Sequence, residues 1–165
     1  MAEEDEVDRI VGAWRTERPD LDFSPMEVLS RVDRLSHHLE HARRAAFGRS
    51  DIEPWEWDVL SALRRAGEPY QLSPKQLLQQ TLVSSGTMTN RIDKLVDRGL
   101  VRREASPGDG RSVLVTLTRT GRTRVDAAIT RLIDAEADLL NSLSPTERTR
   151  LAALLRHLSV SVEGA

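Results

Sequence analysis

The chain has 165 residues, 30% of them charged, and a formal net charge of −2. That length suits one domain, or one domain with a dimerisation layer, and it is enough to bury a real core. The lack of cysteine excludes a disulfide framework, a thiolate zinc site and a thiol redox switch, no apolar run approaches membrane-spanning length, and the acidic start Met1-Ala2-Glu3-Glu4-Asp5-Glu6 is the opposite of a signal peptide, so a cytoplasmic location is expected.

The first predicted element is a helix over residues 6–17, with Val7, Ile10, Val11 and Trp14 at helical spacing and Pro19 marking its end. Ser24-Pro25-Met26-Glu27 reads as a helix start with capping-box spacing. The helix it opens runs through Val28, Leu29, Val32, Leu35, Leu39 and Ala42 to about Phe47, where Gly48 breaks it. His37 and His41 share a face of that helix at the spacing of a two-histidine metal site, with His38 and Glu40 between them. With no third or fourth ligand nearby, we read the cluster as a solvated polar face and expect no metal. Pro54 opens a third helix, carrying Trp55, Val59, Leu63 and Ala66 before Gly67.

Residues 73–118 are the most informative stretch. Ser73-Pro74-Lys75-Gln76-Leu77-Leu78 supplies an N-cap, a proline at the first helical position and a short helix. A turn through Thr81 to Ser84 leads into a second helix from Ser85 to Arg98, stopped by Gly99. Met88, Ile92, Leu95 and Val96 lie on one face and Thr87, Asn90 and Lys94 on the other. One face is thus held to a core while the other offers short donors and acceptors, as a helix in a DNA major groove must. Leu100–Glu104 and Ser112–Thr118 read as strands around the loop Ser106-Pro107-Gly108-Asp109-Gly110-Arg111. The fold predicted is mainly α with a small β wing: a winged helix-turn-helix flanked by N- and C-terminal dimerisation helices.

Charge supports a DNA partner independently. Residues 87–124 hold nine Arg/Lys against four Asp/Glu, a local +5 in an acidic chain, and phosphate binding depends on where charge sits rather than on its total. We assign Ser85, Thr87, Thr89, Asn90 and Lys94 to the DNA face, and Asp109 and Arg111 to the wing, with Arg111 entering the minor groove.

Beyond the wing, Thr120-Gly121 precedes a long amphipathic helix with Val125, Ile129, Leu132, Ile133 and Leu139. Ser144-Pro145-Thr146-Glu147 then opens the last helix, with Leu151, Leu154, Leu155 and Leu158. The apolar stripes at the two ends of the chain exceed what one small winged core can cover, and a second copy of the chain is the simplest partner. A homodimer would set two recognition helices ~34–36 Å apart and predicts a pseudo-palindromic double-stranded DNA operator. Nothing points to an enzyme: there is no Gly-rich phosphate loop, no cysteine nucleophile and no Ser-His-acid spacing. The rival without DNA is a helical protein-interaction module built on the same dimer layer, which would lack a steep salt dependence.

The run Ser84-Ser85-Gly86-Thr87-Met88-Thr89-Asn90-Arg91-Ile92, followed by Leu95, Gly99-Leu100-Val101-Arg102-Arg103, Asp109-Gly110-Arg111, Leu117-Thr118 and Gly121, resembles the MarR family of transcriptional regulators over roughly residues 28–160. Gly110 stands where many members carry a basic residue between the wing Asp and Arg. Ala13-Trp14-Arg15-Thr16-Glu17-Arg18-Pro19, Pro25-Met26-Glu27-Val28, Trp57-Asp58-Val59-Leu60, Arg64-Arg65 and Thr89-Asn90-Arg91-Ile92-Asp93 are similar to the PecS and HucR branch. That resemblance implies a response to urate or a related small anion such as the tricarboxylate trans-aconitate, an added N-terminal helix that brings a tryptophan to the ligand pocket, and a ligand-sensing set on Trp14, Asp58, Arg65 and Arg91. It also leaves open a MarR-type regulator answering to a phenolic compound or a metal.

The residues can be read physically beside that resemblance. Asp58 and Arg65 are seven apart, so on a helix ~10 Å of rise separates them and each needs another partner. Arg91 falls at the edge of the buried stripe of the recognition helix, within reach of the protein interior. The organisation expected is residues 1–48 as N-terminal helices forming ligand pocket and dimer layer, 53–118 as the DNA-binding winged helix-turn-helix, and 119–165 as C-terminal dimerisation helices, with no cofactor.

Overall fold

The structure, a computed structural model, describes residues 4–81, 83–106 and 109–164, and only the backbone of Ser106 and of residues 109–112. Among the described residues there are seven helices and one three-stranded antiparallel sheet of order β1-β3-β2, a mainly α fold with a small β wing. The chain forms two compact units, residues 1–42 and 43–165.

In the first unit, α1 (Glu6–Glu17) starts at Asp5, whose carboxylate accepts the Asp8 N–H while the Asp8 carboxylate accepts its own N–H. Val7 and Val11 of α1 are buried with Phe23, and Met26 of α2 (Ser24–Gly48) packs on them. Ion pairs add to this small core: Arg31 reaches Asp5 at 2.8 Å and Asp8 at 2.6 Å, and Arg15 reaches Glu27 at 2.6 Å. Ile10 and Trp14 are exposed. The capping box expected at Ser24 does not form. The Ser24 hydroxyl donates to Asp22 instead, and Asp22 also accepts the Ser24 N–H, so the short aspartate takes the capping role.

In the second unit, α3 (Pro54–Arg65), α4 (Pro74–Gln80) and α5 (Ser85–Asp97) surround a core in which Leu60, Leu63, Leu77, Met88, Ile92 and Leu95 are fully buried. Each helix is stopped or started by the expected device: Gly67 and Gly99 have φ of +77° and +66° after α3 and α5, and Ser73 caps α4 in a capping box with Gln76. Val96, expected in the buried stripe of α5, is exposed, because only three residues of that helix face the core. The wing strands β2 (Val101–Ser106) and β3 (Asp109–Leu117) are longer than expected. The ladder runs on through a register shift at Ala105/Ser106 to pair Ser106 with Asp109, which draws most of the anticipated loop into the hairpin. β1 (Gln71–Leu72) pairs with β3 and was not anticipated, two residues being too few to show alternation.

Helix α6 (Arg119–Leu139) begins two residues before Gly121, just after the N-cap Thr118, whose hydroxyl accepts the Gly121 N–H. Gly121 is therefore no helix breaker. A Cβ there would lie 2.1 Å from the Leu100 carbonyl oxygen, so only glycine lets the first turn of α6 close on the start of the wing. Val125, Ala128 and Leu132 of α6 enter the core, whereas α7 (Pro145–Glu163), opened by a Ser144–Glu147 capping box, buries nothing. Ile133, Leu139, Leu151, Leu154, Leu155 and Leu158 all stand exposed. No described helix is long and apolar enough to cross a membrane.

Candidate nucleic-acid interface

Ser84 positions the recognition helix α5, accepting the Thr87 N–H at its N-cap. Ser85, Thr87, Thr89, Asn90 and Lys94 are all exposed on it. Two of these hydroxyls are already engaged: Thr87 Oγ1 lies 2.9 Å from Ser84 Oγ, and Thr89 donates to the Ser85 carbonyl at 3.1 Å. Thr89 thus offers an outside partner an acceptor and a methyl group, while Asn90 keeps a full amide. The side chains of Asp109 and Arg111 lie outside the described residues.

Most of the basic patch is internally paired. Arg103 of β2 holds Asp93 of α5 at 2.6 Å, Arg102 holds Glu104 at 2.8 Å, and Arg124 holds Asp51 at 2.6 Å. A hydrogen bond from Thr116, with Arg102 beside it, keeps the Glu104 carboxyl below the usual carboxylate range. Arg64 and Arg122 lie over the Tyr70 ring, 5.0 and 4.8 Å from its centre, and both face Asp126. Among the described residues of the patch, Lys94 and Arg119 have no carboxylate partner, so they are the cations a phosphate meets at no internal cost.

Two ion pairs fasten α5 to α3. Arg98, the C-cap of α5, reaches Glu56 at 2.5 Å and Asp51 at 2.9 Å. Glu56 is 0% exposed, its Oε2 also accepts the Glu53 N–H, and its Oε1 has no partner. Burial works against the Arg98 charge, but the hydrogen bond to Glu56 and the fields of Glu56 and Asp51 outweigh it and raise the guanidinium pKa. Two turns earlier, Arg91 Nη1 meets Asp58 Oδ2 at 3.3 Å, with the Arg91 side chain 19% exposed and that of Asp58 48%. The Arg91 guanidinium carbon and the Lys94 ammonium each lie 5.9 Å from the Trp55 ring centre. Trp55, Gly86, Thr87, Asn90, Arg91 and Lys94 line one hollow of about 390 Å³.

Of the four residues expected to sense a ligand, Asp58 and Arg91 are therefore brought together. Arg65, seven residues from Asp58, is not paired with it and instead donates to the Ser61 hydroxyl at 3.1 Å. Trp14 belongs to the first unit, where it stacks on Phe23 with ring centres 6.3 Å apart. His37 Nδ1 lies 2.9 Å from the Asp33 carbonyl oxygen of its own helix. Glu56 and Asp51 were not singled out from the sequence, while Trp55 was read only as an apolar residue of its helix and Arg98 only as one cation of the basic patch. Glu56 and Trp55 sit in the first turn of α3, where an acid and an aromatic look like ordinary helix-start residues.

Comparison with known proteins agrees with this geometry. The sequence profile of the MarR family matches residues 50–112. The HTH-type transcriptional regulator PecS of Dickeya dadantii is 38% identical over 155 residues, covering 94% of this chain and 93% of PecS. The crystal structure of a mutant MarR from E. coli complexed with operator DNA superposes with a TM-score of 0.67 at 26% identity, over 82% of this chain and 96% of that one. A structure of Bordetella bronchiseptica BpsR, described as regulated in its DNA binding by 6-hydroxynicotinic acid, gives a TM-score of 0.64 at 28% identity, over 80% and 92%.

Proposed function

Because the chain belongs to the MarR family of DNA-binding transcriptional regulators, we propose that it is a homodimeric repressor that reads a pseudo-palindromic operator and releases it when a small anion binds. The first choice of effector is urate or a related purine oxidation product; a tricarboxylate such as trans-aconitate is the second. Arg91 carries the reading. It is a mostly buried cation on the recognition helix, held by one long contact to a half-exposed carboxylate, and an anion that drew it away would act on α5 directly. Trp14, Asp58, Arg65 and Arg91 are the proposed effector-sensing residues. Ser85, Thr87, Thr89, Asn90 and Lys94 are the proposed major-groove face, with Asp109 and Arg111 at the wing.

The homodimer reading rests on α7, which buries none of its residues yet carries a stripe of exposed leucines, Leu151, Leu154, Leu155 and Leu158. The likeness to BpsR favours a second reading of the effector as a planar heteroaromatic acid. The test is binding to the promoter region of its own gene, with and without urate, xanthine, trans-aconitate and 6-hydroxynicotinate. Release by one of the first three supports the main reading, release by 6-hydroxynicotinate alone supports the second, and release by none overturns the anion response while leaving the DNA reading in place.

A further inference from the structure

The turn between α2 and α3 ends at Asp51, whose φ of +53° is left-handed, a conformation that Asn, Asp and Gly tolerate best. The turn is firmly mounted: Ser50 and Ile52 on either side are buried, and the Asp51 and Ile52 N–H groups donate to the Gly48 and Phe47 carbonyls. The Asp51 side chain itself is 71% exposed. Two arginines from different helices converge on it. Arg98, the C-cap of α5, reaches the Asp51 carboxylate at 2.9 Å and the Asp51 carbonyl at 3.0 Å, and Arg124 of α6 reaches the same two oxygens at 2.6 and 3.4 Å. Two turns further along α6, Arg131 donates to the Ser50 hydroxyl at 2.8 Å.

Exposed ion pairs add little to stability, and a left-handed aspartate gives some of that back, so stability does not account for the arrangement. What it does fix is the relation between the end of the recognition helix and α6, whose Ile129, Ile133 and Leu139 stand exposed as part of the proposed dimer layer. We propose that Asp51 is a positioning residue for operator reading: it holds α5 and α6 in one relation, so that the two recognition helices of a dimer meet their half-sites at one spacing. This rests on the homodimer reading above. An anion cannot bind phosphate, so any operator affinity that Asp51 supplies acts through Arg98 and Arg124. Charge and positioning therefore have opposite signs. Removing the carboxylate lowers the local negative charge and frees two arginines, which by charge alone strengthens binding to any DNA. Removing a positioning contact weakens binding to the operator only.

The experiment compares the full wild-type chain with Asp51→Asn and Asp51→Gly. Both replacements accept the left-handed backbone and keep the carbonyl, and neither carries the charge, so the urea midpoint should stay close to that of the wild type. The probes are a duplex from the promoter region of the chain's own gene, the same duplex with one base pair inserted or removed between the half-sites, and a scrambled duplex of equal length. The wild-type chain should prefer one spacing. In both variants the affinity for that spacing should fall roughly fivefold or more, the low end of a coupling between linked sites. The preference among spacings should flatten, and affinity for the scrambled duplex should not fall. A loss of stability alone would leave the order of spacings as it was. Tighter binding to operator and scrambled duplex alike, or an unchanged spacing profile, overturns the positioning role and leaves Asp51 as a neutralising charge. A wild-type chain indifferent to spacing overturns the homodimer reading, and this one with it.

Discussion

Arg91 of the recognition helix and Asp58 of α3 form a contact of 3.3 Å that is buried at the guanidinium end and open to water at the carboxylate end. The asymmetry makes the carboxylate the replaceable partner: losing it exposes an already solvated site, whereas losing the arginine empties a mostly buried one. Asp58→Asn should therefore leave the fold intact and free Arg91 for an anion. Exposed ion pairs couple by ~0.2–1 kcal/mol, so DNA-free urate affinity, measured by calorimetry, should rise by a factor of roughly 1.4 to 5. A fall in affinity would mean that Asp58 binds the effector instead of competing with Arg91 for it.

The second tether behaves in the opposite way. Arg98 is the charge partner of Glu56, which is fully buried and already has one oxygen without a hydrogen bond. Arg98→Ala strands that charge, and breaking a buried pair costs ~3–5 kcal/mol. The low end applies here because the Arg98 side chain is 32% exposed. Arg98→Lys should recover only part of the loss, since an ammonium cannot reach Glu56 and Asp51 as a fork does. Urea unfolding of the three chains decides the order.

Salt dependence of operator binding should be shallower than the sequence charge suggests. Nine cations per subunit, all on phosphates, would give a slope of log K against log salt near −16 for a dimer. With Lys94 and Arg119 unpaired and Arg111 at the wing, about six contacts per dimer give a slope of roughly −5. Filter binding across a salt series separates the two values, and a slope near zero would favour a protein-interaction module.

In the first unit the hydrogen bond from Arg31, helped by the Asp8 N–H, holds the Asp5 carboxyl down at about 2. A folded pKa below the ordinary ~3.9 of an aspartate contributes stability that is fully present above that ordinary value and is lost as pH falls towards about 2. Acid should thus loosen α1, and Trp14 emission in a Trp55→Phe/Trp57→Phe chain should report it through the Phe23 stack. Asp5→Asn should remove most of this acid-dependent change; an unaltered profile would place the titrating group elsewhere.

What could be read from the sequence was whatever local chemistry decides. Caps and stops such as Ser73, Gly67 and Gly99 and the Met88/Ile92/Leu95 stripe are each set by a few neighbouring residues and stand where expected, and the wing hairpin forms with longer strands. Apart from the Ser24 cap, taken over by its neighbour Asp22, the misses are matters of tertiary pairing. Gly121 looked like punctuation because the backbone it approaches, at Leu100, is 21 residues earlier. The arginines looked like a DNA patch because Asp51 and Glu56, which neutralise Arg98 and Arg124, lie outside the stretch that carries the charge. Trp55 looked like core filling, since only the fold sets Arg91 and Lys94 over its ring.

The closeness of α6 to the wing has one more consequence. At Gly121 there is no room for a single methyl group, and Thr118 ties the same junction by donating to the Gly99 and Leu100 carbonyls. Wing and helix are thus joined through a close-packed, hydrogen-bonded junction. In a dimer built through α6 and α7, the span between the two wing tips is then gauged by how those helices pack. Operators of altered half-site spacing should accordingly be matched by repacking the leucines of α7, and a change confined to the reading surface should leave the preferred spacing where it was.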